Sequence, residues 1–108
     1  MPYYMVQASY TSEAWAAQIA NPQDRMAALG KMIESNGGKL HAGYYSFGEY
    51  DIVLIIESPG NETVASTMIA AAAGGAVSNL KTTVLLTNDE GQGAIRGAGD
   101  VAYSPPGS

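Results

Sequence analysis

Residues 39–57 read KLHAGYYSFGEYDIVLIIE, and this stretch decides the fold. Its composition predicts one strand over residues 39–47 and another over residues 51–57. The second strand carries an Ile-Val-Leu-Ile-Ile run without polar alternation, so it needs burial on both faces. Only Gly48, Glu49 and Tyr50 separate the two strands, and so short a connection predicts an antiparallel hairpin.

One strand and two helical segments are predicted before this hairpin. Residues 3–10 are rich in aromatic and other β-compatible residues, which indicates the first strand. Trp15 and Ile19 lie four residues apart on one face of the first helical segment. Asn21 is the predicted N-cap of the second segment, which ends at the Asn-Gly-Gly of residues 36–38. The two segments can also be read as one kinked helix.

A helix and a final strand are predicted after the hairpin. Asn61 caps the helix and Gly74-Gly75 ends it, and residues 77–87 predict the fourth strand. The order β-α-β-β-α-β predicts an α+β, ferredoxin-like fold: a four-stranded antiparallel sheet with helices on one face. Residues 88–99 predict a short additional helix, capped by Asn88 and weakened by three glycines.

The domain organisation follows from length and composition. The chain has 108 residues, which fits one domain, predicted over residues 1–99 with a C-terminal tail over residues 100–108. Its 46% hydrophobic and 14% charged residues indicate an apolar surface facing a partner subunit. The helix-free face of the sheet also needs a cover, so we expect a homo-oligomer, at least a dimer.

Charge and residue usage exclude several classes of function. The formal net charge is −5 with five Lys plus Arg and no basic run, so nucleic-acid binding is not expected. The chain has no cysteine, which excludes disulfides, thiolate nucleophiles and Cys-ligated metals. Its N-terminus lacks a signal-like segment, and its longest apolar run is far shorter than the ~20 residues that span a bilayer. We expect a cytoplasmic protein that does not insert into membranes.

Residues 46–53, Ser-Phe-Gly-Glu-Tyr-Asp-Ile-Val, closely resemble the signature of the GYD-domain family, whose Gly, Tyr and Asp correspond to Gly48, Tyr50 and Asp51. Residues 1–4, 7–11, 37–40, 74–77 and 81–83 also resemble sequences typical of that family, so the resemblance covers most of residues 1–90. It implies the dimeric α/β-barrel form of the ferredoxin-like fold in small proteins. It does not imply a settled biochemical activity.

Strand alternation sorts the polar side chains into two faces if no bulge intervenes. It predicts that Gln7 and Ser9 share one face, that His41 and Tyr45 share one face, and that Lys81 lies opposite Leu80 and Thr82. Our hypothesis is that a cleft between the open sheet face and a partner subunit or the helices collects five polar residues: Gln7, Ser9, His41, Tyr45 and Lys81. The alternative is a wet subunit interface in which these groups satisfy one another.

Candidate roles follow from the chemistry of these side chains. His41, with Tyr45 or Lys81, is the catalytic candidate, because imidazole exchanges protons near neutral pH and a lysine holds an anionic oxygen. Gln7 and Ser9, together with the aromatic rings of Trp15 and Tyr50, are the ligand-binding candidates.

The Gly48-Glu49-Tyr50-Asp51 turn has a structural and a metal-binding interpretation. In the first, Gly48 adopts a positive φ and Asp51 accepts backbone N–H groups. In the second, Glu49 and Asp51 join His41 as ligands of a divalent ion, although the spacing matches no established metal motif.

Three functions remain open from the sequence. The first is an oligomer that binds a small molecule in an inter-sheet or subunit-interface cleft. The second is a cofactor-free or metal-assisted enzyme in which His41 transfers a proton on a small aromatic or enolisable substrate. The third is a purely structural homo-oligomer. The sequence identifies no cofactor.

Overall fold

The computed structural model describes residues 1–107, and all four predicted strands are present. The elements in chain order are β1 (Tyr3–Tyr10), α1 (Ser12–Ala20), α2 (Arg25–Ser35), β2 (Lys39–Tyr45), β3 (Ile52–Glu57), α3 (Asn61–Ala73), β4 (Val77–Leu85) and α4 (Asn88–Ala98). The strands form one antiparallel sheet in the order β2-β3-β1-β4. This arrangement confirms the predicted ferredoxin-like α+β fold.

The hydrophobic core lies between one face of this sheet and helices α1 to α3. Burial alternates along β1 and β3, as expected for strands with one face on a core. Ile33 of α2 and Val64 of α3 complete the buried cluster, and Trp15 of α1 packs against it. Each such aliphatic side chain contributes about 1.5–3 kcal/mol by leaving water. The buried sheet residues are Tyr4, Val6, Ala8, Tyr10, Ile52, Leu54 and Ile56.

The helical segments between β1 and β2 are two separate helices. Thr11 caps α1, and its side-chain oxygen accepts from Ala14 N at 3.2 Å. The prediction that Asn21 caps α2 is wrong, since the Asp24 carboxylate is the N-cap and accepts from Ala27 N at 3.0 Å. Asn21 instead ends α1, where its backbone N–H donates to Ala17 O.

The N-caps of α3 and α4 also differ from the prediction, and each lies one residue before the predicted position. Gly60, not Asn61, is the N-cap of α3, and the Asn61 side chain instead accepts a 2.6 Å hydrogen bond from the Tyr4 hydroxyl. Thr87, not Asn88, caps α4 through a capping box with Glu90. In both cases a tertiary or reciprocal hydrogen bond decides between neighbouring residues of similar propensity.

The sheet has two register shifts, one between Gln7 and Ser9 where β1 pairs with β4 and one in β2, and the shift in β2 overturns a predicted alternation. In β2 the shift falls between Leu40 and Ala42, so His41 is the extra residue of a bulge. Beyond it Tyr44 pairs with Val53, and Tyr45 pairs with the buried Ile52. The prediction that Tyr45 shares a face with His41 is therefore wrong, because one inserted residue exchanges the two faces for everything that follows.

Candidate functional site

The face of the sheet opposite the helices, here called the open face, carries three rows of side chains across the strands. The middle row is apolar at its centre, with Met5 paired to Ile55. The two outer rows contain charged and polar groups. The rows are Leu85-Tyr3-Glu57-Lys39, then Thr83-Met5-Ile55-Ala42, and finally Lys81-Gln7-Val53-Tyr44.

One end of the open face forms a groove beside the turn between β2 and β3. Its volume is about 290 Å³, and it is lined by Gln7, Ser46, Phe47, Gly48, Glu49, Tyr50, Val53 and Lys81. Within residues 1–107, His41 and Glu57 form the one ion pair, so the Lys81 amine has no carboxylate partner there. We call this the Lys81 groove. Of the predicted site residues it brings together Gln7, Glu49, Tyr50 and Lys81.

Asp51 anchors the turn that forms the groove wall. Its carboxylate accepts from Tyr10 N at 2.9 Å, and its backbone N–H donates to Ala8 O at 2.9 Å. The backbone of Ser46 donates to Asp51 O, which closes the turn on itself. The turn is thereby attached to the end of β1, and these contacts give Asp51 the structural role of the first interpretation.

Gly48, predicted to have a positive φ, and Ser9, predicted to bind a ligand, both contribute to the turn in other ways. Gly48 is not among the glycines with positive φ, which are Gly37, Gly75 and Gly107, so that prediction is wrong. A Cβ at Gly48 would meet nothing within 4 Å. The Ser9 hydroxyl donates to the Glu49 carbonyl at 3.3 Å, so it helps to attach the turn to β1.

At the opposite end of the open face His41 pairs with Glu57. The distance from His41 Nε2 to Glu57 Oε1 is 2.5 Å, and the two side chains keep 30% and 19% of their surface exposed. The hydrogen bond from His41, helped by Tyr3, lowers the pKa of Glu57 from its ordinary value. Glu57 is thus held as a carboxylate that orients the imidazole.

Tyr3 completes this end of the face. Its ring lies 5.2 Å from the His41 ring between centroids, tilted by 40°. The negative charge of Glu57 raises the pKa of Tyr3 and keeps its phenol protonated. The arrangement therefore places an oriented imidazole beside a hydroxyl donor, a pair that suits proton transfer.

The five residues of the hypothesised cleft do not converge in one chain. Tyr3 and Gln7 are four residues apart in β1, so the His41 end and the Lys81 groove are separated by about 13 Å. Tyr45 lies on the helix-covered face. Trp15 lies on that face too, with its ring edge-on to Tyr10 at 5.0 Å between centroids.

The metal-binding interpretation requires His41, Glu49 and Asp51 to lie close together, but the fold separates them. His41 lies at the Glu57 end, whereas Glu49 and Asp51 lie in the turn at the other end. No group of three or more His, Asp or Glu side chains in residues 1–107 is arranged to hold a metal ion.

A second concavity lies on the helix-covered side, between α1 and α2. It has a volume of about 400 Å³ and is lined in part by Tyr10, Gln18 and Arg25. Burial is the main cause that raises the pKa of Tyr10, and Arg25 opposes it. Because Arg25 already lies against Tyr10, this cleft is not our candidate site.

Sequence reasoning did not identify Glu57 and Tyr3 as site residues. Glu57 ends an apolar strand, and Tyr3 looks like any other aromatic residue of β1. The usable signal is the hairpin itself, because antiparallel pairing of residues 39–47 with residues 51–57 brings the start of the first strand to the end of the second. The bulge at His41, which exchanges the faces of the residues that follow it, has no signal in the sequence.

The architecture and the polar open face define a small α+β domain of ferredoxin-like topology. A family-level comparison matches residues 4–95 to the GYD domain, so the chain belongs to the GYD-domain family. No curated protein matches the chain. None of the helices in residues 1–107 combines the length and the apolar character needed to cross a membrane.

Replacing Glu57 by Gln is expected to make the melting temperature fall less steeply as the pH is lowered from neutral to acidic values. The pKa of Glu57 is lowered from 4.5, so its ionised form stabilises the fold above that pH. This contribution disappears as the pH falls through the folded-state value. Thermal unfolding followed by circular dichroism from neutral to acidic pH should show a shallower loss of Tm for Glu57→Gln than for the wild type. The exposed Glu34→Gln is the control, and parallel profiles for all three proteins would contradict the prediction.

Proposed function

We propose that this protein is a homo-oligomer that binds a small aromatic anion in the Lys81 groove, between the open face and a second subunit. The observation that carries the proposal is the lysine without a carboxylate partner in a groove lined by Phe47 and Tyr50. An ammonium group attracts a carboxylate or phenolate, and aromatic side chains contact a flat ring. Gln7 adds an amide that both donates and accepts hydrogen bonds.

Exposed apolar side chains support the second subunit. Phe47 at the groove is 99% exposed in the single chain. Tyr44, which belongs to the same row of the open face as Lys81, is 65% exposed. The centre of the middle row of the open face, Met5 and Ile55, is apolar, which is unusual for a sheet face left in water. A second copy placed over this face would bury these residues and close the Lys81 groove.

Benzoate and 4-hydroxybenzoate are suitable probes of the groove. Isothermal titration calorimetry should detect binding, and Lys81→Gln should weaken it roughly tenfold or more, because it removes a charged hydrogen bond. Lys39→Gln is the matched control, since Lys39 lies on the same face at the other end. The proposal fails if neither probe binds, or if both variants bind as the wild type does.

A second candidate function rests on the His41–Glu57 pair. It is a cofactor-free enzyme in which His41 accepts a proton from a small enolisable or phenolic substrate, with Glu57 orienting the ring and Tyr3 donating a hydrogen bond. His41→Asn should abolish turnover while the fold and the oligomeric state are kept. If turnover and ligand binding are both absent in the wild type, the purely structural homo-oligomer remains.

A further inference from the structure

The segment after β4, residues 86–107, is called the C-terminal arm here. Its helix α4 buries no residue. Several large apolar side chains of the arm face water, at exposures of 59% for Leu86, 75% for Ile95, 66% for Val101 and 76% for Tyr103. The arm therefore carries apolar surface that its own domain leaves uncovered.

Helix α4 is too weak to persist without packing. Three of its eleven residues are glycines, each of which costs about 1 kcal/mol relative to alanine in a helix. Isolated helices shorter than about 12–15 residues are marginal in water even with good composition. The Thr87–Glu90 capping box offsets only part of this cost. A helix of this composition requires another surface.

The shape of the chain shows how far the arm extends the molecule. The chain measures 60 × 33 × 22 Å with a radius of gyration of 17.4 Å, against about 13 Å for a compact domain of this length. Its accessible surface is 7066 Å², about 1,400 Å² more than expected for its mass. Two copies covering this excess would bury an area in the range of stable homodimers, roughly 2,000–5,000 Å².

Helical periodicity divides α4 into an apolar and a polar side. Gly91, Ala94, Ile95 and Ala98 follow the i, i+3, i+4, i+7 pattern of one face. Gly93 and Arg96 lie on the other side. The apolar side presents one large side chain, Ile95, among small ones.

An uncovered groove of matching character lies between α3 and β4. Its volume is about 190 Å³, and it is lined almost entirely by apolar atoms of Tyr4, Asn61, Val64, Ala65, Met68, Thr82 and Val84. Val84 remains 57% exposed there, and neighbouring Ile69 of α3 is 69% exposed. The groove has room for an aliphatic side chain.

We propose that the C-terminal arm of one copy packs into the α3–β4 groove of a second copy, with Ile95 entering the groove. The structure leaves the arm extended from its own domain, with no residue of α4 buried against it. The exchange is reciprocal, as a two-fold dimer requires. This inference rests on the homo-oligomer of the proposed function.

Cross-linking tests the exchange directly, because the natural chain has no cysteine. Ala65→Cys and Ile95→Cys are made in separate chains, mixed and oxidised. We expect a covalent heterodimer on a non-reducing gel and none when Gly93→Cys, on the opposite side of α4, replaces Ile95→Cys. A chain that carries both Ala65→Cys and Ile95→Cys is a further variant, and a cross-link that forms only within this chain, giving a covalent monomer, would overturn the proposal. Equal yields from Ile95→Cys and Gly93→Cys would also overturn it.

Sedimentation equilibrium supplies an independent measurement. Ile95→Asp should weaken self-association at least about tenfold, whereas Gly93→Asp introduces the same charge on the opposite side of α4 and should leave it unchanged. If the arm does not cross-link but the chain still dimerises and binds benzoate through Lys81, the arm proposal is wrong and the proposed function stands. A wild-type chain that is monomeric at all concentrations overturns both.

Discussion

Gly38→Ala is expected to destabilise the protein by at least about 3 kcal/mol, a large part of the ~5–15 kcal/mol that stabilises a domain. A Cβ at this position would lie 2.4 Å from the backbone oxygen of Glu57 and 3.0 Å from Ile33 Cγ2. Neither atom is the end of a flexible side chain, so β2 and β3 must separate locally. The same shift would displace Glu57 from His41.

Urea denaturation measures this effect, and the chain offers a matched control. Gly48→Ala introduces the same methyl group where nothing lies within 4 Å and φ is not positive, so its midpoint should stay close to that of the wild type. A Gly38→Ala midpoint equal to that of Gly48→Ala would show that the β2–β3 contact yields more easily than its geometry indicates.

Tyr4→Ala is expected to cost about 3–5 kcal/mol, since it removes a large side chain from the core and leaves a cavity. Tyr4 is 1% exposed, and its hydroxyl donates to Asn61 Oδ1 at 2.6 Å. The loss should lower Tm by tens of degrees, at roughly 4–8 °C per kcal/mol for a domain of this size.

Tyr4→Phe separates the two contributions of this residue. It keeps the ring and removes only the hydrogen bond, so the cost should be about 1 kcal/mol, with some increase if Asn61 is left without a partner. Calorimetric unfolding of both variants provides the comparison. If Tyr4→Phe costs as much as Tyr4→Ala, the hydrogen bond to α3, and not the buried ring, is what holds that helix in place.

The two ends of the open face divide the candidate chemistry. The Lys81 groove offers charge and aromatic contact without an obvious catalytic group, whereas the Glu57 end offers an oriented imidazole beside a phenol. A ligand that spans the about 13 Å between them would be larger than the probes named above. Binding in the groove and proton transfer at His41 are therefore separable by the Lys81→Gln and His41→Asn variants.

Much of the fold is readable along the chain because its determinants are local. The β-compatible composition of residues 3–10 and the apolar run of residues 52–56 specify strands, and the Asn-Gly-Gly and Gly-Gly stops end helices. The short connection of residues 46–51 forces the hairpin. The GYD signature in that connection was recognisable for the same reason, since its residues are contiguous.

Tertiary structure decided the site. The bulge at His41 depends on how β2 pairs with β3, and it exchanged the faces of Tyr44 and Tyr45. Pairing across strands also brought Glu57 to His41, and Tyr3 to both. These residues are far apart in the sequence, so local propensities cannot predict that they meet. Local sequence specifies the periodicity of each strand, whereas the register between strands is set by packing and by long-range hydrogen bonds, and register determines which side chains meet.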